Sequence, residues 1–398
     1  MNLNFFTAQF PFRTGESFIE NELPIVAESY DEIKIFPHYF DFDQNQRKIP
    51  SHAKVEQLKG FNLVNLNLSY KILIIQFFFI ELRYTKSKLY YLKNFRKWLS
   101  LLKQAASKAQ YIESNNLLLK NAVCYSFWMN DWALMLSFLK RKKVISSFVF
   151  RCGGFDIWDE RHEGGYLPFR GLIYRYASKI FPNSKTAETY IKEKTVFPDK
   201  VKNKYFGTSD FGFGEFDSGS EFTILSISNV IPLKRVELII EILKNVKFRV
   251  RWVHFGDGSK MGEIKKMAKE HLSIHQVEFK GRVPDYVDVL NYYKNNSINL
   301  FITTSESEGL PVTIQEALSF GVPIIGTNVG GISEVVNSRT GVLIEKDFDV
   351  YAVAKIINDW KRSKFNTLEK RLDIRAFWQE NFESKMVYNK FSSELLDK

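Results

Sequence analysis

Two glutamates, Glu308 and Glu316, are separated by seven residues in the segment SEGLPVTIQEALSFGVP. The apolar run 298–303 predicts a strand before the first glutamate, and a helix follows that ends at Gly321. Pro311 stands near the first helical position, where its missing N–H has no intrahelical partner to lose. The free N–H groups of such a helix start favour an anion such as a diphosphate. The two carboxylates could then hold different hydroxyl groups; alternatively, both are ordinary solvated side chains.

Other polar and glycine residues follow neighbouring predicted strands. Lys234 comes after the strand 222–228 in SISNVIPLKRVE, where an ammonium group can bind phosphate, or where a lysine simply begins a helix. Gly256 and Gly258 follow the next strand in HFGDGSK. The loop resembles a dinucleotide-binding fingerprint, but its spacing is GxGxxxG and not GxGxxG, and a lone glycine loop is weak evidence.

Strands alternate with helices in both halves of the chain, which predicts an α/β protein with parallel sheets covered by helices. In the first half we predict strands at 2–8, 121–126 and 144–150 and helices at 16–29 and 131–143. In the second half we predict strands at 222–228, 248–255, 276–281, 298–304 and 322–327 and helices at 233–246, 261–271, 284–295, 312–320 and 376–396. The glycine-rich stretch 207–220 is interpreted as a linker.

Length and charge limit the class of protein. A chain of 398 residues favours two domains, here placed at 1–212 and 221–376, with the helical segment 377–398 packing back on the first. A net charge of +11 suggests an anionic partner. Nucleic acid is disfavoured, since no zinc-finger, RNP-like or basic heptad pattern occurs. Two cysteines indicate a reducing compartment, and the N-terminus carries no signal-peptide pattern. The most apolar run, 72–80, is far too short to span a bilayer.

The segment EGLPVTIQE, followed by ALSFGVPIIGT, resembles the E-x7-E signature of glycosyltransferase family 4. The resemblance covers nearly the whole chain and is most specific over 226–336. It implies a GT-B fold of two doubly wound Rossmann-like domains, acceptor-binding first and donor-binding second, with the donor in the cleft between them. It also implies a retaining transferase that needs no metal or other cofactor. The donor would be a UDP- or GDP-sugar and the acceptor a saccharide, lipid-linked, in bacterial capsule, O-antigen or exopolysaccharide synthesis on the cytoplasmic face of the membrane.

The resemblance also implies roles for individual residues. Glu308 would hold hydroxyls of the donor sugar, Glu316 would bind the ribose, and Lys234 would clamp the diphosphate. Backbone groups would contact sugar, phosphate and base; these belong to Gly15, Gly256, Gly281, Arg282, Val283, Gly309, Leu310, Pro311 and Val312.

The chain departs from the family pattern at two places. Ser228 and Asn229 replace a Gly-Arg pair, so that either Lys234 carries the phosphate charge alone or another cation, Arg235 or Arg13, compensates. In FRCGGFD, Gly153 replaces the family histidine, which leaves Asp156 as the polar candidate beside the donor sugar, with His162 nearby as an alternative. These departures motivate a competing hypothesis, a non-catalytic GT-B protein that binds a sugar nucleotide or a partner; a dehydrogenase is third.

Residues 81–110 contain eight Lys/Arg and one acid, Glu81, with tyrosines, a phenylalanine and a tryptophan interleaved. The segment suits an anionic lipid surface, so that peripheral membrane contact is one interpretation. A solvated lysine-rich face over a core stripe is the other. Two Asp-Phe-Asp triplets, at 41–43 and 347–349, match the DxD pattern of metal-dependent transferases, but neither follows a strong strand and both are interpreted as surface turns.

Overall fold

The chain folds as two compact units in the computed structural model. The N-terminal unit comprises residues 1–205 and 388–398, and the C-terminal unit comprises residues 206–387. The structure describes residues 1–13, 15–40, 46–58, 65–217, 219, 221–283 and 286–396. The first Asp-Phe-Asp triplet, at 41–43, lies outside the described residues.

The N-terminal unit is a six-stranded parallel sheet with helical covers, in the strand order β3-β2-β1-β4-β5-β6. Its elements are β1 (Asn2–Thr7), α1 (Ile19–Ala27), β2 (Ile33–Pro37), β3 (Ala53–Val55), α2 (Leu68–Tyr84), α3 (Lys88–Lys93), α4 (Phe95–Ser114), β4 (Ala122–Ser126), α5 (Asp131–Arg141), β5 (Phe148–Cys152), α6 (Arg170–Tyr176), β6 (Lys179–Pro182) and α7 (Lys185–Lys194). The strands β1 and β5 are almost continuously buried, as expected when helices cover both faces of a parallel sheet.

A buried ion pair lies in the core of this unit. The guanidinium of Arg151 lies 3.1 Å from the carboxylate of Glu22, and both side chains are at most 1% exposed. Tyr125 donates to Glu22 at 2.6 Å and accepts from Arg151 at 2.9 Å. From the C-terminal segment, Phe391 places its ring 3.8 Å from the guanidinium carbon. Arg151, which belongs to the sequence motif around Gly153, therefore has a structural role.

The C-terminal unit is a second six-stranded parallel sheet, in the order β12-β11-β10-β7-β8-β9. Its elements are β7 (Thr223–Ile227), α8 (Glu237–Leu243), β8 (Arg251–Phe255), α9 (Met261–His271), β9 (Gln276–Gly281), α10 (Val287–Asn295), β10 (Leu300–Thr303), α11 (Val312–Ser319), β11 (Ile324–Thr327), α12 (Ile332–Val335), β12 (Gly341–Ile344), α13 (Val350–Asn358), α14 (Leu368–Asn381) and α15 (Ser384–Leu396), the last of which passes from the C-terminal into the N-terminal unit.

Both sheets have the strand order of a doubly wound Rossmann-like fold, which confirms the predicted fold class. In such a sheet the direction of winding reverses at one pair of adjacent strands, and ligands bind beyond the carboxyl ends of that pair. The pair is β1 and β4 in the N-terminal unit and β7 and β10 in the C-terminal unit. Residues that follow these four strands are therefore the first candidates for a site.

Two predicted helix boundaries are wrong. The single helix predicted over 376–396 is broken after Asn381, because Phe382 leaves the helical conformation and Glu383 accepts the N–H groups of Lys385 and Met386 to begin α15. The helix predicted from 233 begins at Glu237, after a short 3₁₀ turn and a left-handed Arg235.

The glycine-rich stretch interpreted as a linker makes specific contacts inside the C-terminal unit. Arg375 on α14 donates to both carboxylate oxygens of Asp210 at 2.7 Å. Trp378 on the same helix donates to the hydroxyl of Thr208 at 2.7 Å. Among the described helices, none combines the length and the apolar composition needed to cross a bilayer.

Candidate active site

Lys234 and Glu308 meet where the winding of the C-terminal sheet reverses. Lys234 follows β7 and Glu308 follows β10, and the ammonium group of the first donates to Oε1 of the second at 2.5 Å. Lys234 is 20% exposed and Glu308 13% exposed, so that the pair remains open to solvent on one side. The structure thus brings together two residues that are far apart in sequence and that were both predicted to contact the donor.

The loop after β7 is held in place by the loop after β10. Arg235 adopts a left-handed backbone (φ 48°), and its guanidinium donates to the carbonyls of Thr304 and Lys346, each at 2.8 Å. The hydroxyl of Thr304 donates back to the carbonyl of Arg235 at 2.9 Å. Because the Arg235 guanidinium is committed to carbonyl groups that position Lys234, it is a poor substitute for the missing family arginine.

A glycine turn fixes the backbone of Glu308 from the other side. Gly330 is left-handed (φ +54°), and a Cβ added to it would lie 2.0 Å from the carbonyl oxygen of Glu308. The next residue, Gly331, donates its N–H to the carbonyl of Gly309 at 2.6 Å. The turn after β11 therefore closes on residues 308–309 with no room for a side chain. Gly330 was not predicted, because its position in TNVGGI carries no spacing signal of its own.

The helix α11 points its N-terminus at the same loop. It begins at Val312, with Pro311 as an extended N-cap residue and no side-chain cap on its first N–H groups. Leu310 is buried and anchors the entry to the helix. Gly321, left-handed at φ +73°, ends the helix as predicted. An uncapped helix N-terminus beside a lysine is an arrangement that attracts phosphate oxygens.

Glu316 lies in the second turn of α11 and is buried. Its Oε2 accepts a hydrogen bond from the hydroxyl of Tyr286, just before α10. Burial raises the pKa of Glu316 to about 8, and the bond from Tyr286 only partly opposes this effect. Glu316 is therefore largely protonated at neutral pH and can donate as well as accept a hydrogen bond. Tyr286 was not foreseen, because nothing in PDYVDVL distinguishes it from a core tyrosine.

The glycines after β8 pack against the loop that follows β7. A Cβ on Gly256 (φ +134°) would lie 1.9 Å from the carbonyl oxygen of Ser228, and a Cβ on Gly258 would lie 2.4 Å from that of Val230. The N–H of Gly256 donates to the carbonyl of Gly281 at 2.8 Å, which joins the ends of β8 and β9. These contacts explain the glycine spacing by close loop packing, without a dinucleotide-binding role.

Three further predicted donor contacts border these loops. Asn229 is exposed after β7, Arg282 is exposed directly after β9, and Val283 beside it is half-buried. Asn229 follows β7, as Lys234 does, and the other two residues follow β9. Their contact with a nucleotide stays a prediction. In the second Asp-Phe-Asp triplet, Asp347 is 89% exposed and Asp349 caps the N-terminus of α13 by accepting from Tyr351.

Gly15 lies at the reversal point of the N-terminal sheet, where the adjacent residue occupies an anion site. The carboxylate of Glu16 accepts the N–H groups of Ala8, Gln9 and Phe10 at 3.0, 2.6 and 2.7 Å. It also accepts from the indole of Trp128, which follows β4, at 2.6 Å. The backbone donors after β1 are therefore already bound by a side chain of the protein.

Asp156 lies after β5 and accepts the N–H of Met129 at 3.2 Å. Burial raises the pKa of Asp156 to about 8, so that its carboxyl group is largely protonated at neutral pH.

A Cβ on Gly153, where the resembled family has histidine, would lie 2.9 Å from Nδ2 of Asn183. His162, the suggested alternative, contacts the carbonyl of Phe155 at 2.6 Å. Arg13 is exposed, 4.9 Å from the ring of Tyr39.

Residues 213–377 match the family described as Glycosyl transferases group 1. The matched segment is 165 of the 398 residues and resembles that family. It includes β7 to β12 and therefore every residue of the Lys234–Glu308 site described above.

The relatives of this chain include proteins of bacterial surface polysaccharides. Protein CapJ of Staphylococcus aureus is 30% identical over 209 residues, which are 52% of this chain and 47% of CapJ. The O-antigen biosynthesis glycosyltransferase WbnH of Escherichia coli is 29% identical over 144 residues, 35% of this chain and 39% of WbnH. The chain spans less than half the length of these two relatives.

Solved structures of similar fold cover the whole chain. Anabaena Alr3699/HepE in complex with UDP has a TM-score of 0.68 at 15% identity, with 100% of both chains covered. The lipopolysaccharide outer core galactosyltransferase WaaB has a TM-score of 0.69 at 15% identity, covering 100% of this chain and 99% of WaaB. The fold of the chain is thus GT-B, as the sequence resemblance implied.

Proposed function

We propose that this protein is a retaining, metal-independent glycosyltransferase that transfers a sugar from a UDP- or GDP-sugar to a lipid-linked saccharide in surface polysaccharide synthesis. The observation that carries the proposal is the Lys234–Glu308 pair beside the uncapped N-terminus of α11. A cation, a helix N-terminus and two acids offer complementary groups for the diphosphate and the hydroxyls of a nucleotide sugar.

We expect donor binding to break the contact between Lys234 and Glu308 and to give each residue a new partner on the donor. The ammonium of Lys234 is bound to the carboxylate of Glu308. A diphosphate carries more negative charge than one carboxylate, so that it would compete for Lys234 and release Glu308 to accept bonds from sugar hydroxyls. Glu316, protonated at neutral pH, would exchange hydrogen bonds with the ribose, and Tyr286 would hold it in place.

In the proposed reaction, the bond between the anomeric carbon and the phosphate oxygen breaks as the acceptor hydroxyl attacks from the same face. Negative charge develops on the leaving diphosphate, where Lys234 and the N–H groups of Gly309, Leu310 and Val312 would stabilise it. The leaving phosphate oxygen would take the proton of the acceptor hydroxyl. Because the protein supplies this positive charge itself, the proposal requires no metal ion. We assign acceptor recognition to the N-terminal unit, where Asp156 is the polar candidate beside the donor sugar.

Relatives and similar structures support this choice of substrates. WbnH is named an O-antigen biosynthesis glycosyltransferase, and HepE binds UDP in its crystals. A second candidate function, a sugar-nucleotide-binding protein without turnover, is favoured by Gly153 and Asn229, which stand where the resembled family has histidine and arginine. Both functions predict donor binding and differ in turnover.

The test measures nucleoside diphosphate release from a panel of UDP- and GDP-sugars with a lipid-linked saccharide extract as acceptor. We expect Lys234→Met to lower kcat/KM about 10²- to 10³-fold, as for loss of one group that stabilises developing charge. The matched control is Lys244→Met at the end of α8, since Lys244 also pairs with a glutamate, Glu241 at 2.9 Å, on the opposite edge of the sheet. Release that is equal in Lys234→Met and wild type would refute the mechanism; donor binding without release from any donor would favour the binding protein.

A further inference from the structure

The helix α2 presents a row of large apolar side chains to solvent. Leu68, Ile72, Ile75 and Phe79 are 72%, 46%, 59% and 61% exposed. At 3.6 residues per turn their positions fall within about 60° of the helix circumference and extend over roughly 16 Å. Asn67 caps the start of the helix by accepting the N–H of Tyr70 at 3.1 Å. The row, called the α2 stripe below, is therefore a regular, continuous surface.

Positive charge surrounds the α2 stripe. Eight exposed lysines and arginines occur between residues 65 and 112: Lys71, Arg83, Lys86, Lys88, Lys93, Arg96, Lys97 and Lys103. The one acid in that range, Glu81, is 1% exposed. In the part of the chain that the structure describes, none of these eight cations takes part in an ion pair. The surface is thus apolar along one helix and cationic around it.

The aromatic residues of 81–110, by contrast, belong mostly to the core. Tyr91 and Trp98 are at most 2% exposed and pack against Tyr166, whereas Phe95 is 47% exposed. The sequence alone suggested these aromatics as a lipid contact. The α2 stripe supplies a regular row of exposed apolar side chains, and the segment 81–110 adds most of the charge together with the exposed Leu89, Leu92 and Phe95.

We propose that the α2 stripe and the cations around it dock on the surface of an anionic lipid bilayer, with Ile75 and Phe79 inserted among the headgroups. Transfer of exposed apolar side chains into the headgroup region contributes favourable binding free energy. The negative surface potential of the membrane attracts lysines and arginines. A second copy of the chain is a poorer occupant, since a symmetric contact would bring like-charged surfaces together. The proposal concerns binding alone and does not depend on the transferase activity.

The test is co-sedimentation of the full chain with phosphatidylcholine vesicles, either pure or mixed with phosphatidylglycerol, without donor or acceptor. We expect binding to the mixed vesicles that weakens with added salt. The double variant Ile75→Ser/Phe79→Ser should bind about tenfold more weakly. The control is Leu368→Ser/Leu372→Ser on α14, because these leucines have the same i, i+4 spacing and are each 51% exposed. This control should bind as wild type does.

Three results would overturn the proposal. The first is a wild-type protein that does not sediment with mixed vesicles. The second is equal binding by the Ile75→Ser/Phe79→Ser variant and the wild type, with both folded by circular dichroism. The third is a wild-type dimer that the same variant dissociates, which would assign the α2 stripe to contact between copies of the chain. Each result can occur whether or not the protein releases nucleotide.

Discussion

Replacing Gly330 by alanine tests whether the turn after β11 positions Glu308. Two effects are expected, and the structure separates them. The left-handed backbone (φ +54°) costs an alanine roughly 1 kcal/mol. The added Cβ would also lie 2.0 Å from the carbonyl oxygen of Glu308 and 3.1 Å from that of Gly309. Both oxygens belong to the backbone, so the loop after β10 must move to remove the clash with the added Cβ.

Such overpacking costs typically about 1–3 kcal/mol. Gly330→Ala should therefore lower the free energy of unfolding by about 2–4 kcal/mol in total. Gly281→Ala is the matched control for stability, because Gly281 has a similar φ of +67°, lies in the same unit and has no heavy atom within 4 Å of an added Cβ. It should lose only about 1 kcal/mol, the cost of the backbone conformation.

The assay is urea unfolding of both variants, followed by donor-dependent nucleotide release from the folded protein. A shift of Glu308 by about 1 Å should lower kcat/KM of Gly330→Ala by about 10²-fold. Equal stability losses in the two variants would show that the contact with the Glu308 carbonyl is not tight. In that case Gly330 does not position the carboxylate, and the reasoning about this turn fails.

Three other substitutions test the buried polar groups. Folding raises the pKa of Glu316 from 4.5 to about 8, so that between these values the folded chain holds a proton that the unfolded chain has lost. Stability should fall as pH rises through this window, by at most about 1.4 kcal/mol per unit, and Glu316→Gln should flatten that fall in unfolding curves. Arg151→Met leaves Glu22 buried and unpaired, and urea unfolding at neutral pH should show a loss of about 3–5 kcal/mol. Gly153→His brings a Cβ to 2.9 Å from Asn183, and its stability loss of about 1–3 kcal/mol should shrink when Asn183→Ala is added in a double-mutant cycle.

The parts of the C-terminal unit that could be predicted are those encoded by local pattern. Strand and helix periodicity located β7 to β11, and the segment from Glu308 to Gly321 predicted both the helix α11 and its end. The family resemblance implied only that Lys234 and Glu308 each contact the donor. The strand order explains why they meet, since β7 and β10 are neighbours at the reversal of winding.

Contacts between distant segments could not be predicted in this way. Tyr286 reaches Glu316 from another helix, and Gly330 approaches Glu308 from another loop. Neither contact leaves a period or a motif in the sequence. The strands β2, β3, β6 and β12, each of three to five residues, were also missed.

The carboxylate of Glu16 has a consequence for how the protein balances the charge of a phosphorylated ligand. Three successive amides after β1 and the indole of Trp128 donate to it, so these donors already have a partner within the protein. A phosphate could bind these donors only by displacing the carboxylate of Glu16, which is also negatively charged. Under the proposed function, groups of the second sheet would therefore hold the diphosphate, and residues of the first sheet could change with the acceptor without weakening donor binding.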